Sequence, residues 1–184
     1  MPLTPSPLNV EFALLSTLRR QPRHGYDIHQ QLSDPAGLGL VLHFKQSRVY
    51  AMLSRLEEHG YIRAEYELQD SHPTRKVFHL TETGTIAYLN WIGSAVEHGR
   101  EFRLQFLSKL YCAQREGEDF ARTLLAKQRD ACQGWFSDQT AAAASLPQDQ
   151  MYEWLVHQFR IGQIQSMLNW LDICEARLLP SENV

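Results

Sequence analysis

The sequence lacks the features by which membrane-spanning and secreted proteins are recognised. No apolar run approaches the roughly 20 residues that a membrane-spanning helix requires. The first residues also lack a basic start followed by an apolar segment, so we expect no signal peptide and no membrane partner. Cysteine is scarce: Cys112, Cys132 and Cys174 are widely spaced, which favours packed, reduced thiols and a cytoplasmic location.

Motifs of enzymatic chemistry are also missing. The chain has no HExxH or CxxC pair, no glycine-rich phosphate loop and no GxSxG turn. Glu57, Glu58 and His59 are adjacent, but neighbouring helix positions point in different directions and cannot converge on one metal ion. The sequence therefore predicts a protein that is not an enzyme, with no catalytic residues, no metal site and no cofactor.

Charge of one sign is not in large excess. The chain carries 18 Lys and Arg against 21 Asp and Glu, which gives a net charge of −3. Residues 1–84 hold nine cations and nine carboxylates, so the whole deficit falls in residues 85–184, with nine against twelve. Nucleic-acid-binding modules are usually basic. The sequence therefore allows a local basic face in the first half, but not a strong overall positive field.

Three motifs in the first half predict a winged helix-turn-helix by their order. A short helix opener at Arg23–Ile28 precedes an amphipathic helix at Ser47–Glu58, which ends at Gly60, a common residue after a helix. Residues Ile62–Leu68 alternate in polarity as a half-buried strand does, and Arg75–Leu80 returns after a polar turn. We therefore expect a mainly α-helical fold with a small β-hairpin wing.

The amphipathic helix is predicted to be the recognition helix of a DNA-binding domain. Val49, Leu53 and Leu56 share one face at about 100° per residue, and small or polar side chains occupy the opposite face. Such a helix can lie in a major groove, with Arg48 bonding guanine edges and Arg55 holding phosphates. The predicted DNA-contacting residues are Lys45, Ser47, Arg48, Tyr50, Ala51, Ser54, Arg55, Arg75 and Lys76.

Each of these cations also has a simpler explanation. Surface arginines are commonly just solvated, so for Arg48 or Arg55 alone both interpretations stay open. Arg75 and Lys76 lie near the hairpin tip, where adjacent cations suit phosphates beside the groove, although any exposed hairpin carries some charge. The alternative function is a winged-helix protein-interaction module without DNA binding, which the net charge of −3 keeps open.

Three segments resemble the PadR family of bacterial transcriptional regulators. They are His24-Gly25-Tyr26-Asp27-Ile28, Ser47-x-x-Tyr50-x-x-Leu53-x-x-Leu56-Glu57-x-x-Gly60-Tyr61-Ile62 and Arg75-Lys76-x-Phe78-x-Leu80-Thr81-x-x-Gly84. Each segment alone is weak, whereas their order and spacing are fairly specific. The resemblance implies a regulator that binds double-stranded DNA as a homodimer.

The second half is similar to the helical C-terminal dimerisation domain of the same family, in Phe102–Tyr111 and from Glu153 onward. The resemblance implies that the chain belongs to the longer-chain branch, with residues 1–92 binding DNA and residues 93–184 dimerising. The last of three predicted helices repeats apolar residues in a 3-4-3 pattern, a seam that implies a helix from a second copy. The predicted dimerisation residues are Phe102, Phe106, Leu110, Ile161, Ile164, Leu168, Leu171 and Leu178.

Aromatic residues in and near this half allow two interpretations. Trp91, Trp154 and Phe159 are the predicted pocket for a flat small-molecule effector, and the family name suggests a phenolic compound. Rings at helical spacing are also typical of core and dimer packing, and no convergent charged group accompanies them. Both interpretations stay open from the sequence.

Together these features predict a transcriptional regulator, with repression as the expected sign because blocking a promoter requires only occupancy. A homodimer would place two recognition helices about one DNA turn apart, so the expected operator is roughly palindromic. A small-molecule effector is a possible further partner, acting through the spacing of the two DNA-binding heads.

Overall fold

The computed structural model describes residues 10–69 and 72–178, with side chains described outside residues 68–74. Within these residues, helices predominate and three strands form one sheet, which confirms the predicted mainly α-helical fold with a β-hairpin wing. The helices are α1 Phe12–Leu15, α2 Gly25–Leu32, α3 Gln46–Glu58, α4 Glu82–Ile92, α5 Leu107–Glu116, α6 Glu118–Ala144 and α7 Met151–Leu178. The strands are β1 Arg23–His24, β2 Ile62–Gln69 and β3 His72–Leu80.

The described residues form two compact units. The first consists of residues 10–92 and 103–112, and the second of residues 93–102 and 113–178. The first unit holds α1 to α4, the sheet and the beginning of α5. The second unit holds the rest of α5 with α6 and α7. The predicted functional domains stay a prediction, because compactness does not test which segment binds DNA or a second copy.

The sheet has the strand order β1-β3-β2, and all its pairs are antiparallel. In the hairpin, Ile62 pairs with Leu80 and Glu67 pairs with Arg75, followed by an irregularity between Glu67 and Gln69. The polar turn predicted between the strands includes residues 70 and 71, which lie outside the described residues. The two-residue strand β1 pairs with the middle of β3 and was not predicted, because it is too short for any alternation to be visible.

The connection between α3 and the hairpin is a tight turn at Gly60. Gly60 has a φ of 72°, in the left-handed region that favours glycine, and its N–H donates to the Glu57 carbonyl at 2.9 Å. The Tyr61 N–H then donates to the Leu56 carbonyl, also at 2.9 Å. These bonds satisfy carbonyls at the helix end, and they confirm Gly60 as the predicted terminator.

The second unit is built on two antiparallel helices of nearly equal length, α6 with 27 residues and α7 with 28. Arg129 of α6 is bound by Asp172 and Glu175 of α7 at 2.8 and 2.9 Å, and near the other end Gln139 lies 2.9 Å from His157. None of the helices in the described part of the chain is long and apolar enough to cross a membrane.

The apolar seam predicted for dimerisation is largely covered inside one chain, and its role in dimerisation stays a prediction. Ile164 is 6% exposed and Leu171 is fully buried without any second copy present, while Ile161, Leu168 and Leu178 are half-buried. Helix α6, with 27 residues, is long enough to pack along the 28 residues of α7. Phe102, Phe106 and Leu110, also predicted for dimerisation, are likewise buried in the single chain.

The three cysteines are buried thiols that form no disulfide with one another, as the sequence predicts. Burial raises the pKa of the Cys174 thiol from 9.0 to about 11 and also raises the pKa of Cys132. Since the thiolate is the reactive form, a raised pKa and burial both protect these side chains from oxidation and alkylation.

We expect the native protein to react with a thiol reagent at pH 8 far more slowly than free cysteine does. A pKa higher by two units lowers the thiolate fraction about a hundredfold, and burial blocks access as well. Absorbance with a disulfide reagent measures the rate, and the same protein in concentrated guanidinium chloride is the control, where all three thiols should react. Fast labelling of Cys174 in the native protein would contradict this packing.

Candidate nucleic-acid interface

Helix α3 has one buried apolar face and one exposed polar face, as predicted. Val49, Leu53 and Leu56 are fully buried, and Met52 beside them is nearly so. Burial of this stripe determines which side of a short helix faces solvent. The exposed side chains at the start and along the outer face belong to Lys45, Gln46, Ser47, Arg48, Tyr50, Ala51 and Ser54.

The sequence predicts Ser47 as the N-cap of α3, but Lys45 occupies that position. Lys45 has an extended backbone, and its carbonyl oxygen accepts the N–H groups of Arg48 and Val49 at 3.0 and 3.2 Å. The first turn is therefore closed before Ser47 is reached. As a result the Ser47 side chain lies exposed in that turn.

Arg48 is exposed and already oriented by a neighbouring ring. Its guanidinium carbon lies 4.9 Å from the centroid of Phe44, within the range of a cation–π contact. Phe44 lies just before the helix, so the contact limits the conformations of Arg48 before any partner binds. A side chain that is already restricted loses less conformational entropy on binding.

Arg55 is not free on this face, which corrects the prediction that it holds phosphates. Its Nη1 donates to Oε1 of Glu11 at 2.5 Å, and the two side chains are 32% and 11% exposed. Because Glu11 directly precedes α1, this ion pair joins α3 to the first helix. Periodicity within α3 places Arg55 opposite the apolar stripe, but it cannot show that a carboxylate 44 residues earlier reaches it.

Of the two cations predicted on the wing, only Arg75 is exposed. The Nζ of Lys76 donates to Oε2 of Glu57 at 2.6 Å and lies 5.2 Å from the centroid of Phe78. Lys76 therefore ties β3 to the C-terminal end of α3, which corrects its assignment as a phosphate ligand. The alternation of the strand predicts its direction, but not the presence of Glu57 beneath it.

The carboxylates of β2 are paired with basic groups of the same sheet. Glu65 contacts Arg63 and lies 3.2 Å from Nε2 of His79, and Glu67 lies 3.8 Å from Nε2 of His24. The hydrogen bond from Arg63 lowers the pKa of Glu65, and the charges of Arg63 and His79 lower it further. Arg63 thus partly offsets the charge of Glu65 on the wing, which weakens the objection that the net charge raises against DNA binding.

A cleft of about 650 Å³ beside α3 brings together side chains that the sequence analysis did not group. A Cβ at Gly25 would lie 2.7 Å from Cε1 of Tyr50, so the glycine allows the Tyr50 ring to pack against the start of α2. Tyr26 and Tyr50 are 54% and 41% exposed and can offer hydroxyl groups to a partner. The cleft is lined by His24, Gly25, Tyr26, Asp27, Tyr50, Arg75 and Lys76.

His24 and Tyr26 are therefore candidate contact residues that sequence reasoning missed. The motif His24-Gly25-Tyr26-Asp27-Ile28 contributes to the family resemblance, but the sequence gives no role for its side chains. The signal was the neighbouring glycine, which permits close approach of another ring. Only the folded chain shows that this ring is Tyr50, from α3.

The three residues of the predicted effector pocket have different environments. Trp91 belongs to the first unit, is 6% exposed, and lies 6.1 and 6.4 Å from the rings of Phe12 and Tyr88. Trp154 and Phe159 belong to α7 in the second unit and are 42% and 66% exposed. The packing interpretation therefore holds for Trp91, whereas the other two rings are surface side chains.

The geometry of the first unit defines a class of protein. Helices α2 and α3 with the hairpin β2–β3 form a winged helix-turn-helix whose α3 has a free outer face. Among residues 10–69 and 72–178, no group of three or more His, Cys, Asp and Glu side chains is arranged to hold a metal ion.

Comparison with known proteins identifies the family. Residues 14–89 match the family described as Transcriptional regulator PadR-like family. This part of the chain therefore belongs to the PadR-like family, which confirms the resemblance found in the sequence. The protein is a transcriptional regulator and not an enzyme.

Individual relatives share about a fifth to a quarter of their residues with this chain. The negative transcriptional regulator PadR of Bacillus subtilis is 24% identical over 172 residues, covering 89% of this chain and 93% of that protein. Among solved structures, B. subtilis PadR with operator DNA is 21% identical with a TM-score of 0.47, covering 91% of this chain and 98% of that one. B. subtilis PadR with p-coumaric acid is 20% identical with a TM-score of 0.42, covering 95% and 98%.

We expect Arg55→Ala to lower the free energy of unfolding by about 1–2 kcal/mol, because the largely buried Glu11 carboxylate loses its partner. This range allows for the partial exposure of Arg55, which screens the ion pair. Urea unfolding measures the change. Arg48→Ala is the matched control and should alter stability by less than about 0.5 kcal/mol. Equal effects of the two substitutions would contradict the different roles assigned to these arginines.

Proposed function

We propose that this regulator binds a specific operator by inserting α3 into the major groove and the wing beside it. The observation that supports this most directly is the exposed outer face of α3, on which Arg48 is held against Phe44 without an ion pair to a described residue. Arg48 is the proposed base-reading residue, since a guanidinium can bond guanine O6 and N7 in a bidentate manner.

The other exposed residues are proposed to contact the DNA backbone. Lys45, Ser47 and Ser54 can bond phosphates along the groove, and Ala51 is small enough to permit close approach. Arg75 is the proposed phosphate contact of the wing. The cleft beside α3 adds Tyr26 and Tyr50 to these backbone contacts. Arg55 and Lys76 then serve a different purpose, because their ion pairs hold α3 and the wing in position.

The regulator is proposed to act as a homodimer through the exposed face of α7. Tyr152, Leu155 and Phe159 recur at helical spacing and are 75%, 53% and 66% exposed, an unusual amount of apolar surface for a monomer. Ile173 continues the exposed apolar surface further along the helix. A two-fold contact here would give two recognition helices, and hence a roughly palindromic operator.

Repression is the proposed sign of regulation. The relative in B. subtilis is called a negative transcriptional regulator, and occupancy of a promoter is sufficient for repression. Modulation by a small aromatic effector is proposed as part of the same function. Such a ligand would act by favouring one conformation of the dimer over another.

Arg48→Ala should weaken binding to an operator from the protein's own promoter at least about tenfold, because a bidentate base contact is lost. Fluorescence anisotropy at several salt concentrations measures the affinity. The matched control is Arg122→Ala, which removes an exposed arginine of α6 that pairs with Glu118 on the same helix. If Arg48→Ala binds as tightly as the parent, the recognition face is wrong. If the parent shows no sequence-selective binding, the protein-interaction alternative gains support.

Phe159→Asp should convert dimers to monomers without unfolding the chain, because the side chain is exposed in one chain and buried only in the proposed contact. Sedimentation velocity measures the assembly state and circular dichroism checks the helix content. Ile86→Asp is the control, since Ile86 is an exposed apolar residue of α4 at 55%. Dimers that survive Phe159→Asp would place the contact on another surface.

A further inference from the structure

The second unit contains a cavity of about 420 Å³, within the size range of small-molecule sites. One wall is the segment that follows α4, and the other walls are α6 and α7. All its lining residues belong to this one unit. They are Glu97, His98, Gly99, Arg100, Trp135, Asp138, Gln139, Arg160, Gln163, Ile164 and Met167.

Charges of both signs line the cavity without neutralising one another. Arg100 and Arg160 supply two cations, and Glu97 and Asp138 supply two carboxylates. Within residues 10–69 and 72–178, none of these four side chains forms an ion pair, although charged residues elsewhere on α6 and α7 do so. All four are exposed and so can reach a ligand. The lining therefore offers partners for an anionic group and for a cationic group at once.

Three apolar side chains on α6 and α7 also line the cavity. Trp135 and Met167 are half-buried, and Ile164 is buried at 6% exposure. Opposite them lies Gly99, where an added Cβ would meet only the methyl carbon and sulfur of Met167, at 3.5 and 4.0 Å. The absence of a side chain at Gly99 leaves space next to these apolar groups, which suits a ring.

The wall that contains Gly99 is anchored on both sides of the cavity. The Val96 N–H donates to Oε1 of the buried Gln128 at 2.9 Å, and Nζ of Lys127 donates to the Gly93 carbonyl at 2.6 Å. On the other side, Phe102 contacts the ring of Trp170 edge-on at 5.7 Å. The cavity is thus bordered by residues whose backbone is held in place from each end.

We propose that this cavity binds a small zwitterion with a flat apolar body, of the class of aromatic α-amino acids. The ring would lie among Trp135, Ile164 and Met167. The carboxylate would pair with Arg160 or Arg100, where charge-assisted bonds are strongest, and the ammonium with Asp138 or Glu97. The segment that forms one wall of the site directly follows α4 in the sequence. A bound ligand would therefore also change the affinity for the operator, and this consequence rests on the proposed function.

Calorimetry on the full chain tests the ligand class. L-Phenylalanine and L-tryptophan are titrated alongside 3-phenylpropionate, which lacks the ammonium, phenethylamine, which lacks the carboxylate, and L-alanine, which lacks the ring. The aromatic amino acids should bind at least about tenfold more tightly than each analogue, since each lacks one recognised group. Equal affinity for 3-phenylpropionate, or no binding of either aromatic amino acid at millimolar concentration, would overturn the proposal.

Substitutions then locate the site. Arg160→Ala and Asp138→Asn should each reduce the affinity for L-phenylalanine at least about fivefold, because each removes one charged partner. Gly99→Phe should abolish binding by filling the cavity while leaving all four charges present. Arg122→Ala is the control with unchanged affinity. Unchanged binding in Gly99→Phe, with native helix content by circular dichroism, would overturn the location.

The effect of the ligand on operator affinity is measured separately. Operator affinity is compared with and without saturating L-phenylalanine, and Gly99→Phe should respond less than the parent does. Equal operator affinities in the parent would overturn the coupling. Calorimetry requires no DNA, so failure of the ligand site and failure of operator recognition are distinguished.

Discussion

Burial of the apolar stripe of α3 is the constraint on which the proposed DNA-binding face depends. Val49, Leu53 and Leu56 can be buried in only one rotation of the helix, and that rotation leaves Arg48 outside. Two ion pairs reinforce the rotation from opposite sides. Arg55 reaches Glu11 before α1, and Glu57 reaches Lys76 on the wing. The cations of this region therefore divide into those that hold the domain together and those left for a partner.

In the second unit, too, burial of apolar helix faces determines which side chains remain exposed. Helices α6 and α7 pack against each other, so the regular apolar seam of α7 is largely buried within the chain. The side chains left outside, such as Phe159, form the surface available to a second copy. Charged residues follow this division too. Arg129 is bound by Asp172 and Glu175 between the helices, while Arg160 and Asp138 stay without ion pairs at the cavity, among the described residues.

Local patterns in the sequence were reliable guides where the controlling interaction was local. The amphipathic period of α3 predicted its inner face, and Gly60 predicted its end, because both depend on residues within one or two turns. Roles that depend on distant partners were not predictable. The sequence could not reveal that Glu11 captures Arg55 or that Gly25 accommodates the ring of Tyr50, since each pair meets only after several elements have packed.

The sequence alone determined the fold class, the family and the exposed position of Arg48, because periodicity, terminators and motif order are properties of neighbouring residues. The tertiary structure decided which cations remain free, which apolar seam is internal and where a cavity lies. Those properties depend on which of many compatible groups come within a few ångströms of each other. Such contacts depend on how separate helices and strands pack, and a sequence pattern does not give the distances between them.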